Sequence, residues 1–173
     1  MDVYMIVLRL LHILGGIFWV GTTLFFVLFF EPVIKAAGPA GGTIMGKLAL
    51  TRFSPVMGLS SSLTVVAGFL MYWNDSNSFQ GNWILSTPGI VLTIGSIAGI
   101  LASIVGLGFQ MPASARIAAL QKEMQAAGGP PEPAQLAELQ ALTKKISTAS
   151  CWGAVLMVIA VIGMAGAREF GEI

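Results

Sequence analysis

The sequence predicts an all-α fold: a four-transmembrane-helix bundle, one integral membrane domain over residues 1–173, with a cytoplasmic helical hairpin extending spans three and four. Three observations predict it. Of 173 residues, 55% are hydrophobic and only 10% charged, against roughly 25% charged in soluble domains. Ionisable residues bound four uncharged stretches, 10–30, 53–74, 76–115 and 146–167, each at least as long as the roughly 20 helical residues that cross a bilayer core. Runs such as residues 24–30 are apolar throughout, which excludes the alternating strands of a membrane β-barrel.

The elements follow in order. The first span covers about residues 4–30, between an early Arg9 and Glu31-Pro32. The second covers about 54–73, with Ser54-Pro55 as its expected start. Asn77, Ser78, Gln80, Gly81 and Asn82 are loop chemistry, so the long third stretch is trimmed to a span over about 88–110. Ser86-Thr87-Pro88 opens it, a hydroxyl cap ahead of proline in the first turn. Span three carries small residues at Gly95, Gly99, Ala102, Ser103 and Gly106, the spacing that lets helices approach closely. The only sizeable polar region, 111–145, reads as two helices. Ile117, Leu120 and Met124 repeat at helical spacing; Gly128-Gly129-Pro130-Pro131 breaks the pattern; Leu136, Leu139 and Leu142 resume it. That second pattern runs without a stop into the fourth span, about 146–168. The hairpin tip is expected near Gly129.

Orientation follows from the positive residues. Lys35, Lys47, Arg52, Arg116, Lys122, Lys144 and Lys145 fall on one side, and only Arg9 and Arg168 on the other. The hairpin is therefore expected in the cytoplasm, with both termini outside, in a bacterial inner (plasma) membrane. Tyr4, Tyr72, Trp73 and Trp83 then form an outer aromatic belt. The first apolar run is too long, and too lacking in a small-residue cleavage site, for a removable signal.

Composition excludes several classes. A net charge of +1 implies no nucleic-acid partner, and one cysteine, Cys151, excludes a disulfide framework or a cysteine zinc cluster. No phosphate loop, nucleophile triad or paired-carboxylate site is present, and Ser60-Ser61-Ser62 is expected to bond helix carbonyls. His12 is the one ionisable residue well inside a span, at roughly 13 Å depth. Such a residue is costly in hydrocarbon and demands a reason. Arg9, Gly15, Gly16 and Trp19 share its helix face. A neutral imidazole is an axial ligand for haem iron. Glycine on the next turn would admit a flat macrocycle, and Arg9 would pair with a propionate. The ordinary alternatives are glycines that admit a neighbouring helix, an arginine that reaches the headgroups, and a histidine that hydrogen-bonds across the bundle.

His12-Ile-Leu-Gly-Gly-Ile-Phe-Trp19-Val-Gly21 has the spacing H-x6-W-x-G after Leu10-Leu11. This resembles the first-helix signature of the copper-resistance D-like membrane proteins and the four-span J-type protoporphyrinogen oxidases. Met45-Gly-Lys47-Leu48 followed by Ser54-Pro55 extends the resemblance to about a quarter of the chain. In the oxidases the histidine is associated with haem and a later lysine is essential, which the resemblance carries to His12 and, by position, to Lys47. Where those oxidases usually carry a basic segment, this chain has Phe29-Phe30-Glu31-Pro32.

These readings converge on an expectation: a b-type haem-binding membrane protein in redox chemistry or haem handling, with a haem-dependent membrane oxidoreductase as the form an enzyme would take. Haem b is the expected cofactor, held by His12 with Arg9, Gly15, Gly16 and Trp19 around it. Met157, expected near the depth of His12, is a candidate second metal ligand; packing is its commoner use. Bis-histidine ligation needs a homodimer. The alternatives are a non-catalytic accessory subunit whose hairpin, 111–145, docks a cytoplasmic partner, and a metal permease.

Overall fold

The computed structural model describes residues 3–167 and Glu169, with no strand among the described residues. Four helices are long and apolar enough to cross a membrane: α1 (Val3–Ala36), α3 (Phe53–Asp75), α5 (Thr87–Ala127) and α6 (Pro133–Gly166). Two short helices, α2 (Pro39–Ala49) and α4 (Gly81–Ile84), lie in the connections. Arg168, counted above on the outer side, lies outside the described residues.

The surface is more telling than the core. Only 11% of the most apolar window of α1 is buried against protein, and 28% of that of α6. Ile17 and Ile162 are each 67% exposed. A water-soluble monomer does not present apolar surface of this extent, whereas lipid chains would solvate it. Association of such helices then rests on close packing and interhelical hydrogen bonds rather than on expulsion of water.

The bundle is built from two tight pairs, α1 with α3 and α5 with α6. In the second pair a Cβ added at Gly163 would lie 2.8 Å from the Cα of Gly95, so the small residues of α5 meet a glycine of α6 in the same chain. Gly95 opposite Gly163 and Arg116 opposite Glu138 mark an antiparallel pair along its whole length. Trp19, Ala102 and Met157 form the buried cluster that joins the two pairs.

Two helices pass a proline. α1 continues as helix beyond the expected span bound at residue 30, through Pro32 to Ala36, and α5 passes Pro112 into the helical segment expected there. In each case a π turn precedes the proline. Phe26–Phe30 closes with the Glu31 N–H on the Phe26 carbonyl, and Gly106–Gln110 with the Met111 N–H on the Gly106 carbonyl. A proline in an unbroken α-helix lacks one hydrogen bond and pushes its ring against a carbonyl one turn back. The wider π turn takes up that strain.

The caps are partly as expected. Ser86 Oγ accepts from Gly89 N–H at 3.2 Å and starts α5. The start of span two needs correction. Ser54 lies inside α3, and Thr51 Oγ1 accepts from Phe53 N–H at 3.1 Å instead. Gly128, at φ +62°, ends α5 in the left-handed conformation that favours glycine. Glu132 and Gln135 form a capping box that opens α6.

The two ends of the bundle differ chemically. At one, Tyr72 meets Trp83 and Trp73 meets Phe79 edge to face, and Tyr72 and Phe79 pack at a tilt. At the other, Arg116 grips Glu138 with two hydrogen bonds, at 2.7 and 3.0 Å, and Glu123 at 3.1 Å. Lys35 pairs with Glu31 at 2.6 Å, and Ser147 on α6 donates to the same carboxylate. The helix α2 packs on α5 at Gly46, where any side chain would collide with Gln121.

Candidate functional site

His12 sits half-buried where α1 crosses α3. The local sequence explains the contact. Along α3, Ser60, Thr64 and Gly68 recur every four residues and form a stripe of small side chains. The matching face of α1 carries His12 and Gly15. A Cβ on Gly68 would lie 2.8 Å from both Nδ1 and Cε1 of the imidazole. The Nδ1–Cε1 edge of the ring therefore lies against bare α3 backbone. A Cβ on Gly15 would lie 2.6 Å from Thr64 Oγ1 and 3.3 Å from the Ser60 carbonyl.

Two hydrogen bonds cross this seam. His12 Nδ1–H donates to the Thr64 carbonyl at 2.8 Å, and Ser60 Oγ–H donates to the Gly15 carbonyl at 2.9 Å. The Thr64 carbonyl can only accept, so the bond assigns the proton to Nδ1 and leaves the lone pair on Nε2. Nε2 has no hydrogen-bond partner among the described residues, yet no buried side-chain nitrogen or oxygen there lacks one. Nε2 is thus at an accessible edge of the seam. Histidines that ligate metals commonly have this arrangement, with the second nitrogen donating to a carbonyl that fixes tautomer and ring plane.

The other expected site residues are placed as follows. Arg9, one turn away, is exposed. Gly16 has room, since the nearest atom to an added Cβ is Thr64 Cγ2 at 3.6 Å. Trp19 is 6% exposed and turned into the core with Ala102 and Met157. Met157 packs with Trp19, which lies two helical turns and about 10 Å along α1 from His12. Lys47 is exposed on α2, near Gly46 and Gln121, and the resemblance's two residues are likewise apart. Ser61 and Ser62 bond back to the Gly58 carbonyl at 3.0 and 2.8 Å, as their sequence suggests.

The residues the sequence reading missed are Thr64 and Gly68. Their signal was present, because Ser60-x3-Thr64-x3-Gly68 is a small-residue stripe as regular as that of α5. Among the described residues no three His, Cys, Asp or Glu side chains converge as a metal cage. A group held here would rest on one imidazole from this chain. Compared with protein-family models, with curated proteins and with solved structures, the chain matches none.

Proposed function

We propose that this chain is a b-type haem-binding membrane protein serving redox chemistry or haem handling, with Nε2 of His12 as an axial ligand. One observation carries the reading: the hydrogen bond from Nδ1–H to the Thr64 carbonyl, which leaves a basic, accessible Nε2 on a fixed ring. The fit is to the donor and not to the whole expected bed. Gly15 is filled by Thr64 and Ser60, so it serves the helix seam and offers no face to a macrocycle. Arg9 is free of the seam and exposed, which suits a partner for a propionate. A single imidazole at an accessible edge favours a second ligand from another chain, and a homodimer supplies one. Haem supplies one-electron chemistry when bound; the chain's own part is to orient the imidazole and hold the proton on Nδ1.

The placement of Lys35, Lys47, Arg52, Arg116, Lys122, Lys144 and Lys145 toward one end supports a cytoplasmic helix pair and external termini in a bacterial inner membrane. A second reading draws on that same end. The pair formed by α5 and α6 extends past the apolar spans and is braced by Arg116, Glu123 and Glu138, which suits an accessory subunit that docks a cytoplasmic partner.

The deciding experiment is spectroscopic. Full-length protein expressed with ample haem should purify coloured, with a Soret band that His12→Ala removes or shifts. Colourless native protein, or an unchanged spectrum in the variant, overturns the haem reading and leaves His12 as a helix-seam hydrogen bonder.

A further inference from the structure

The two helix pairs do not close on each other along their whole length. Between them, toward the basic end, lies a cavity of about 100 Å³. His12, Arg9, Gly15 and Gly16 do not line it, although Trp19 does, and the proposed haem ligand His12 takes no part in it. Every long helix contributes, and α2 covers it with Met45 and Leu48. Both π turns reach its wall, through Phe26 on one side and Gly106, Leu107 and Gln110 on the other. Such turns recur at functional sites because they open a helix locally.

The lining has a definite chemistry. It contains no Asp, Glu, Lys, Arg or His, so a charged group entering it would lose its hydration without a counter-charge. Trp19, Phe26, Phe53 and Met57 supply apolar walls. The polar atoms fall into two kinds. Thr23 and Ser61 have given their protons to the carbonyls of Trp19 and Gly58, so their oxygens can only accept. Ser150 is only 7% exposed, lines the cavity, and has no hydrogen-bond partner among the described residues. Gln110 on the π turn is likewise uncommitted there. Ser150 and Gln110, together with Ser54 and Ser114 of the same lining, are thus free donors beside fixed acceptors.

The mouth points to lipid. Leu107 and Met111 edge the cavity while 38% and 39% exposed, and both touch the position of Gly58 between α3 and α5. A cavity of about 150 Å³ holds a benzene ring, so this one takes a head group and its first carbons while a longer tail stays outside.

We propose that the cavity binds the head of a neutral, lipid-soluble molecule with an oxygen acceptor, of the long-chain alcohol, ketone or ester class, entering between α3 and α5. Ser150 and Gln110 donate to the ligand oxygen, and a ligand hydroxyl donates to Thr23 or Ser61.

The test uses full-length protein in detergent micelles and dodecanol carrying a diazirine beside its hydroxyl end. Photolysis should place saturable adducts on cavity residues such as Met57, Met111 or Ser150. Unlabelled dodecanol should displace the probe at least about fivefold more effectively than dodecanoate at alkaline pH. Ser150→Val should lower saturable labelling several-fold, whereas Ser150→Thr keeps it, with both variants matched to native helicity by circular dichroism. Gly106→Leu is a second, cavity-filling variant, since an added Cβ there meets nothing within 4 Å; it should also lower labelling. His12→Ala should leave labelling unchanged, whatever its effect on haem. Non-saturable labelling, adducts confined to lipid-facing residues such as Val158 and Ile162, equal displacement by dodecanoate, or equal labelling of the Val and Thr variants overturns the proposal.

Discussion

At the scale of single residues, the glycines of the seams differ in what opposes them. A methyl group at Gly68 would strike the imidazole of His12, the far end of a side chain that can rotate away. The loss is one cross-helix hydrogen bond, typically about 1 kcal/mol. A methyl at Gly163 would strike the backbone of Gly95 and the carbonyl of Val91, 3.1 Å away. Backbone does not rotate aside, so the two helices must separate, in the range of about 1–3 kcal/mol for an overpacked core. Thermal unfolding in detergent should therefore show Gly163→Ala less stable than Gly68→Ala; the reverse order contradicts this account. Gly68→Ala should also turn the His12 ring and alter any haem spectrum, an effect Gly163→Ala should lack. The histidine, its glycine-bearing turn and the serine triplet were all legible in sequence, because burying an ionisable or hydroxyl side chain in a span leaves few options. What the imidazole touches was not legible. That depends on which face of α3 meets α1, and a single helix's periodicity does not name its neighbour.

At the scale of elements, the charged end of the α5–α6 pair is held by a side-on Arg116–Glu138 contact. The Arg116 guanidinium holds the Glu138 carboxyl below its ordinary range, chiefly by hydrogen bonding. A carboxylate with a lowered folded pKa contributes above its unfolded value, near 4.3, and that contribution is lost as pH falls through the folded value. Glu138→Gln should thus speed amide exchange around residues 116–138 at neutral pH. The gap between variant and native should close in acid, and a gap that stays constant as pH falls would show the pair is unimportant. Both contacts are exposed, so added salt should also shrink the effect. The elements themselves were largely legible: charges bounded the spans, and Gly128 and Ser86 punctuated them. The failures are instructive. The first span was bounded at Glu31, where the uncharged stretch ends, so the continuation of its helix through Pro32 was not legible; a π turn upstream of a proline has no signature in composition. The helix α2 went unread because its glycine-rich segment lacks a long apolar period; its one local mark is Gly38, at φ +56°, ahead of Pro39.

At the scale of the whole molecule, the aromatic end and the basic end give two opposite faces to a single apolar belt. Cysteine placed at Gly129 should react only with reagents that reach the cytoplasm, and cysteine at Asn77 only with external ones. The native Cys151 is exposed and must first be replaced by serine to keep the readout clean. Labelling of both sites from the same side would break the four-span topology. The four long apolar helices were plain from hydropathy, since lipid imposes a length and a polarity on every crossing. The cavity between the helix pairs was not, because it arises from how far the pairs splay, a property of no single segment.

The two π turns have a consequence for how such a chain varies over time. Each holds one residue more than an α-helix would use over the same path. Losing one residue within 26–30 or 106–110 therefore turns the π turn into ordinary α-helix over the same path and leaves Glu31 and Lys35 in α1, or Arg116 and Gln121 in α5, facing as they do now. A codon gained or lost elsewhere in these helices swings everything downstream by about 100°. The boundary between the membrane-embedded part and the basic end is in this sense where such a chain absorbs a change of length without repacking either side.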